Sequence, residues 1–329
     1  MDERILLVVG NGFDLDLNLQ TSYTNYSESD YFKNLVNKNH DNVNKFGEDF
    51  AIDLSELLYE ASQSQKQWFN IEEIIYSWFL NEKTIGYSEE KVKIERNFFN
   101  DLRVSLANYL FEEEEKRDVK KDSVAAEILK LWAASSYNKY TGTFDIFSFN
   151  YTSIKKLLDK LGFSFMKDKN RNKITHIHGS LDKRNIVLGC DNYNMTSKVN
   201  PNTTFVLKYN MIHESNHFVR MLNAANWVII FGHSMNPMDF KHFKSYFEML
   251  AETGESFNKN LTIICKNEND EQQIKDNIEM QGISVISILD RINQYQCFYT
   301  SDLEDDNSKQ RGEFTNFIDQ IYEMRDIKK

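Results

Sequence analysis

The sequence predicts an α/β protein, a parallel sheet whose first strand is followed by a large helical insertion. Three observations carry that prediction. Ile5-Leu6-Leu7-Val8-Val9 is an uninterrupted apolar run ending at Gly10, the pattern of a strand buried on both faces. From about residue 28 to 140 the apolar spacing becomes helical. From Phe144 onward short apolar runs return and alternate with helical patterns, which implies crossover connections and parallel strands.

In order along the chain, Phe46, Phe50, Leu54, Leu57, Leu58 and Ala61 recur at three- and four-residue steps. Phe98, Phe99, Leu102, Leu106 and Leu110 do the same, followed by Val124, Ile128, Leu129 and Trp132. Between these last two stretches, Glu112 to Asp122 is mixed charge without an apolar period, a solvated helix end and loop. Strands are expected at Phe144 to Phe149, Lys173 to His178, Ile186 to Leu188, Trp227 to Phe231, Leu261 to Cys265 and Ile283 to Leu289. Helices are expected at Ser153 to Leu161, Asp239 to Leu250, Asp270 to Gln281 and Glu313 to Met324. The expected organisation is an α/β core of residues 1–27 and 141–300, a helical insertion at 28–140 and a C-terminal helical segment at 301–329.

Composition excludes several classes. The chain has 39 Lys and Arg against 50 Asp and Glu, and a net charge of −11 gives no broad basic face for nucleic acid. No stretch approaches the ~20 apolar residues that span a bilayer, and the run at Ile5 is too short for a signal peptide. Cys190, Cys265 and Cys297 are odd in number and widely spaced, so neither a disulfide framework nor a metal knuckle is expected. The expectation is a cytoplasmic protein.

Four short segments fall at the ends of the predicted strands. Gly10-Asn11-Gly12-Phe13-Asp14 offers a tight turn and close backbone approach to a phosphate, or simply a strand-ending turn. Phe149-Asn150-Tyr151-Thr152 places polar groups where open α/β sheets bind ligands, although Asn is also a common helix cap. In His176-Ile177-His178-Gly179-Ser180 the two histidines share a face if the segment is a strand. A histidine before Gly suits a general base, and two partly buried structural histidines are the plainer reading. Phe231-Gly232-His233-Ser234-Met235, with Asp239 beyond, can hold ribose hydroxyls or cap the next helix. Their shared position at one end of the sheet makes the four a candidate site.

His213-Glu214-Ser215-Asn216-His217 formally matches the HExxH zinc-peptidase pattern. The Trp227 strand begins ten residues later and leaves little helix for a metal scaffold, so no metal site is expected there.

The segments LLVVGNGFDLDLNLQTSY, QWFNIEEI, FDIFSFNYT, ITHIHGS and VIIFGHSMNPMD resemble the AbiH family of bacterial abortive-infection proteins. GNGFD followed by Thr21-Ser22-Tyr23 is the most specific piece, and Trp68 with Glu72 resembles that family's signature in the helical insertion. The same segments resemble a divergent sirtuin-like, Rossmann-type NAD-binding core. That resemblance implies that Asn150 and His178 are catalytic. It places Gly10, Asn11, Gly12, Phe13, Asp14, Ser22, Tyr151, Gly179, Gly232, His233, Ser234 and Asp239 around the dinucleotide.

Protein-deacylating sirtuins carry two CxxC pairs, and here no two cysteines are close in sequence. The resemblance therefore points to the NAD-hydrolysing branch, with NAD as substrate and no required cofactor or metal. It leaves room for a homo-oligomer and a phage-derived trigger. A non-catalytic sensor that binds NAD or ADP-ribose and gates a partner is the first alternative, and a zinc peptidase built on the HExxH match at His213 to His217 is the more remote one.

Overall fold

The computed structural model describes residues 3–43, 53–64, 70–135, 142–163, 172–191, 199–208, 215–252 and 257–324. Strand β1 (Arg4–Val9) leads to helices α1 (Asn11–Asp16), α2 (Tyr23–Glu28), α3 (Asp30–Val43), α4 (Leu54–Gln63), α5 (Ile71–Phe79), α6 (Glu89–Lys116) and α7 (Val124–Ser135). Then come β2 (Thr143–Ser148), α8 (Ile154–Lys160), β3 (Ile174–His176), α9 (Ser215–Ala224) and β4 (Trp227–Phe231). The chain continues through α10 (Pro237–Phe240), α11 (Lys244–Ala251), β5 (Phe257–Cys265), α12 (Glu268–Glu279), α13 (Val285–Leu289), β6 (Ile292–Tyr299), α14 (Thr300–Leu303) and α15 (Lys309–Met324).

Two compact units result. The first comprises residues 1–19, 117–177 and 213–329, and the second residues 20–116 and 178–212.

The first unit holds the sheet, whose order is β3-β2-β1-β4-β5-β6 with every pairing parallel. The α/β class with a parallel sheet is therefore as the sequence predicts. Leu7 stands between Ile146 and Ile229 in register, so alternate residues of three strands line one face. That face, with Ile5, Val9, Phe144, Trp227 and Phe231, is covered by apolar residues of α1, α7, α8 and α15. Edge-on packing of Trp227 against Phe317, 5.5 Å between ring centres, seats the C-terminal helix. The opposite face packs Phe147 against Phe218 of α9 at 5.1 Å. Burial on both faces is why β1 and β4 read as unbroken apolar runs.

Four sequence expectations need correction. Ile283 to Leu289 is not a strand: Val285–Leu289 is helical, and Ser284 caps it by accepting from the Ser287 amide. The sixth strand is instead Ile292–Tyr299, an edge strand whose Asn and Gln residues hide the strand pattern. Ile186 to Leu188 is buried but not a strand, and the nearest pairing is an isolated bridge between Cys190 and Leu207. The expected helix from Asp239 to Leu250 is broken into α10 and α11. The third strand stops at His176, so strand alternation does not extend to His178.

Asp145, buried on β2, accepts from the Lys173 amide at 2.7 Å. Burial pushes its carboxyl above the ordinary Asp value, against the opposing Lys173 bond and charge. The native state thus holds this proton more readily than the unfolded chain. The contribution to stability is present below the ordinary value of about 3.9 and is lost as pH rises through the raised one. Asp145→Asn keeps an acceptor and removes the buried charge. It is expected to be at least as stable as the parent at pH 7, with the advantage shrinking at pH 4. Urea midpoints at both pH values check this, and a variant weaker at pH 7 would contradict it.

The second unit is built on α6, where Phe98, Phe99, Leu102, Leu106 and Leu110 are buried at the spacing the sequence predicts. Phe205 packs against Phe99 and Trp78, with ring centres 5.7 and 6.1 Å apart. Phe46, Phe50 and Trp68 lie outside the described residues. No described helix is long and apolar enough to cross a membrane.

Candidate functional site

In the first unit, the chain leaves β1, travels outward to β3, and returns to β4 on the other side of β1. The order 3-2-1-4-5-6 therefore reverses between β1 and β4, and open α/β sheets bind ligands beyond the carboxyl ends of the strands at such a point. Gly10 follows β1 directly and Gly232 follows β4 directly.

These two turns touch through backbone. The Gly10 amide donates to Phe231 O, and the Gly12 amide to Gly232 O, both at 2.9 Å. A Cβ on Gly12 would stand 2.7 Å from Gly232 Cα, and one on Gly10 would stand 2.7 Å from Gly232 O. Gly232 itself has φ +63°, and its Cβ would lie 2.4 Å from the Phe13 nitrogen. The glycines are thus demanded by backbone-to-backbone packing at the switch point. Phe13 points into the core, edge-on to Phe231 at 5.2 Å, and Asn11 opens α1.

Asn150 follows β2 and is not a helix cap, since Ser153 caps α8 by accepting from the Lys156 amide. One Asn150 side-chain N–H donates to Gly10 O at 2.9 Å, and the amide nitrogen donates also to Asp14 Oδ1 at 2.8 Å. Thr152 Oγ1 donates to the other Asp14 oxygen at 2.8 Å. Asp14 is 1% exposed, so these donors replace the water that a buried carboxylate would otherwise need. Tyr151 lies between them, also buried. On the outer side, His176 Nδ1 donates to Asn150 O at 3.1 Å. Asn150 therefore ties β1, α1 and β3 together.

Beyond β4, His233 is buried among aromatic rings, 4.4 Å from Phe149 and 5.0 Å from Phe243 between ring centres. Its Nδ1 accepts from the Met235 amide at 3.0 Å, which puts the proton of the neutral ring on Nε2. Nε2 stands 3.8 Å from Asp239 Oδ2, beyond direct hydrogen-bonding reach. Asp239 lies in the first turn of α10, which Asn236 caps. Met235 adopts φ +51°, and Ser234 O accepts from Asn277 Nδ2 at 2.9 Å.

The first unit thus gathers Gly10, Asn11, Gly12, Phe13, Asp14, Asn150, Tyr151, Gly232, His233, Ser234 and Asp239 at one end of its sheet. Ser22, His178 and Gly179 belong to the second unit. Ser22 caps α2, accepting from the Asn25 amide at 3.0 Å. Gly179 has φ +77°, and a Cβ there would lie 2.0 Å from Asn185 O. His178 is 4% exposed, and its carbonyl accepts from the Val187 amide at 2.7 Å. His213 and Glu214 of the HExxH match lie outside the described residues, while His217 packs on Phe147. Sequence reasoning missed Thr152 as a partner of Asp14, although its place in the FNYT segment was a usable signal.

A doubly wound parallel sheet whose strand order reverses between β1 and β4 makes this a Rossmann-like α/β protein. Residues 6–263 match the model of one family, described as bacteriophage abortive infection AbiH, and the chain belongs to that family. No curated protein sequence matches it.

Proposed function

We propose that this AbiH protein acts in abortive infection by hydrolysing NAD at the nicotinamide–ribose bond, depleting the cofactor of the infected cell. The observation that carries the reading is the meeting of Gly10–Asp14, Asn150 and Gly232–Asp239 at the β1/β4 switch point, where dinucleotides bind in sheets of this order. Cleavage passes through an oxocarbenium-like state, and nicotinamide departs without metal assistance. His178 takes a proton from a ribose hydroxyl or from water, and the Asn150 amide orients the ribose or that water. His233 Nε2–H and the Asp239 carboxylate offer a donor and an acceptor for hydroxyl groups.

The test is nicotinamide release from NAD by the purified protein, alone and with extract of phage-infected cells. His178→Ala and Asn150→Ala are expected to lower the rate about 10²-fold or more. Full cleavage by folded variants would overturn the residue assignment. One observation favours a second reading, a sensor that binds the dinucleotide without cleaving it: the Asn150 amide nitrogen is already engaged by Gly10 and Asp14. Saturable NAD binding with no nicotinamide release in either condition would establish it.

A further inference from the structure

Glu72, on α5 of the second unit, is 5% exposed, and Lys208 is fully buried. Lys208 Nζ stands 2.8 Å from each carboxylate oxygen of Glu72, and the Tyr23 hydroxyl donates to Oε1 at 3.2 Å. An isolated buried ammonium is very costly, and even a paired one gains little over apolar residues of the same size. The pair therefore needs a reason other than stability.

Its backbone connections supply one. The Lys208 amide donates to Cys190 O, and the Cys190 amide donates to Val206 O, both at 2.9 Å. The stretch leading to Cys190 is the return arm of the loop that begins at His178. In that loop Val187 N donates to His178 O, and Ser180 N donates to Asn185 Oδ1 at 3.0 Å. Arg103 of α6 holds the same arm by donating to Ile186 O at 3.2 Å. A hydrogen-bonded path thus runs from α5 through Glu72, Lys208 and Cys190 to the loop that closes on the His178 carbonyl.

We propose that Glu72 and Lys208 are positioning residues for His178, fixing the register of its loop against the helices of the second unit. The inference rests on the proposed proton-transfer role of His178 for its kinetic consequence, but not for its structural one. A displacement of about 1 Å in a reacting group can cost on the order of 10²-fold in rate. A buried charge pair fixes one register because sliding would separate the two charges in a low-dielectric interior.

The experiment uses the full chain with Glu72→Gln/Lys208→Met, which removes both charges and keeps an acceptor for Tyr23. The variant is expected to keep its melting temperature within a few degrees. Amide exchange at Val187 and Cys190 should quicken about tenfold or more, while that of β1 and β4 stays at the parent rate. Its kcat for NAD should fall about ten- to a hundredfold at nearly unchanged KM. Glu72→Asp, which keeps the charge but shortens the reach, should show the same pattern in milder form and serves if the double variant does not fold. Lys208→Arg should retain parent-like exchange.

Parent-like exchange at Val187 and Cys190 in a folded Glu72→Gln/Lys208→Met or Glu72→Asp protein overturns the proposal, as does an unchanged kcat in an active background. If the parent releases no nicotinamide, the hydrolase reading falls, and the exchange measurement alone decides the positioning role.

Discussion

Gly232→Ala is expected to cost more than about 3 kcal/mol, a large fraction of the ~5–15 kcal/mol that holds an ordinary domain together. Two separable effects contribute. At φ +63° a non-glycine residue pays about 1–2 kcal/mol for its backbone conformation alone. The larger part is contact, because the new methyl would lie 2.4 Å from Phe13 N and 2.5 Å from Gly12 Cα. Those are backbone atoms of α1, and they cannot yield without moving β1 away from β4.

Gly282→Ala isolates the first effect. That residue has φ +78°, with no heavy atom within 4 Å of the added Cβ, so only the conformational cost should appear. Urea unfolding midpoints of the two variants give the comparison. Equal losses would show that the contact at the switch point relaxes freely, and the close packing of the two turns would lose its importance.

The same contact shows what in this chain was legible as sequence. Gly10 and Gly232 stood out because glycines directly after unbroken apolar runs mark strand ends, and the runs themselves reflect burial on both faces. Sequence offered Gly10 and Gly12 as a close approach for a phosphate or as a strand-ending turn; the structure shows both packed against Gly232. Nothing local records that a turn more than two hundred residues away will occupy the missing Cβ.

Elsewhere local pattern was ambiguous or silent. Val285-Ile286-Ser287-Ile288-Leu289 is as apolar as a short buried strand, and periodicity alone does not separate the two. The hydrogen bond from the Ser287 amide to Ser284 tips it to helix. The true last strand, Ile292–Tyr299, is an edge strand, so its polar side chains are tolerated and its apolar signal is diluted. Lys208 gave no signal at all. Lysine is normally a surface residue, and a partner 136 positions earlier helps make its burial tolerable. Glu72 was visible through family resemblance, but its physical reason is that distant ammonium.

Asn150→Asp separates the architectural work of Asn150 from any chemical work. Asn150 donates to a main-chain carbonyl and to the Asp14 carboxylate. The substitution is nearly isosteric, removes those donors, and sets a second carboxylate against a buried first one. At pH 7 the expected loss is about 3–5 kcal/mol, the range for breaking a buried charge-compensated pair. Asn150→Ala should cost less, about 1–3 kcal/mol, because it strands acceptors without adding a charge.

The pH dependence makes the assignment specific. Two carboxylates in one buried site share a proton, so the folded pair takes one up well above the ordinary Asp value of about 3.9. A pKa raised in the folded state adds stability below the unfolded value and loses it as pH rises through the raised one. Asn150→Asp should therefore regain stability relative to Asn150→Ala as pH falls from 7 toward 4, when the introduced carboxyl, once protonated, again donates to Asp14. Chemical denaturation of both variants across that range is the measurement. If the two lose stability in parallel at every pH, Asn150 is not the donor that holds Asp14, and the clamp between β1 and β2 must be built otherwise.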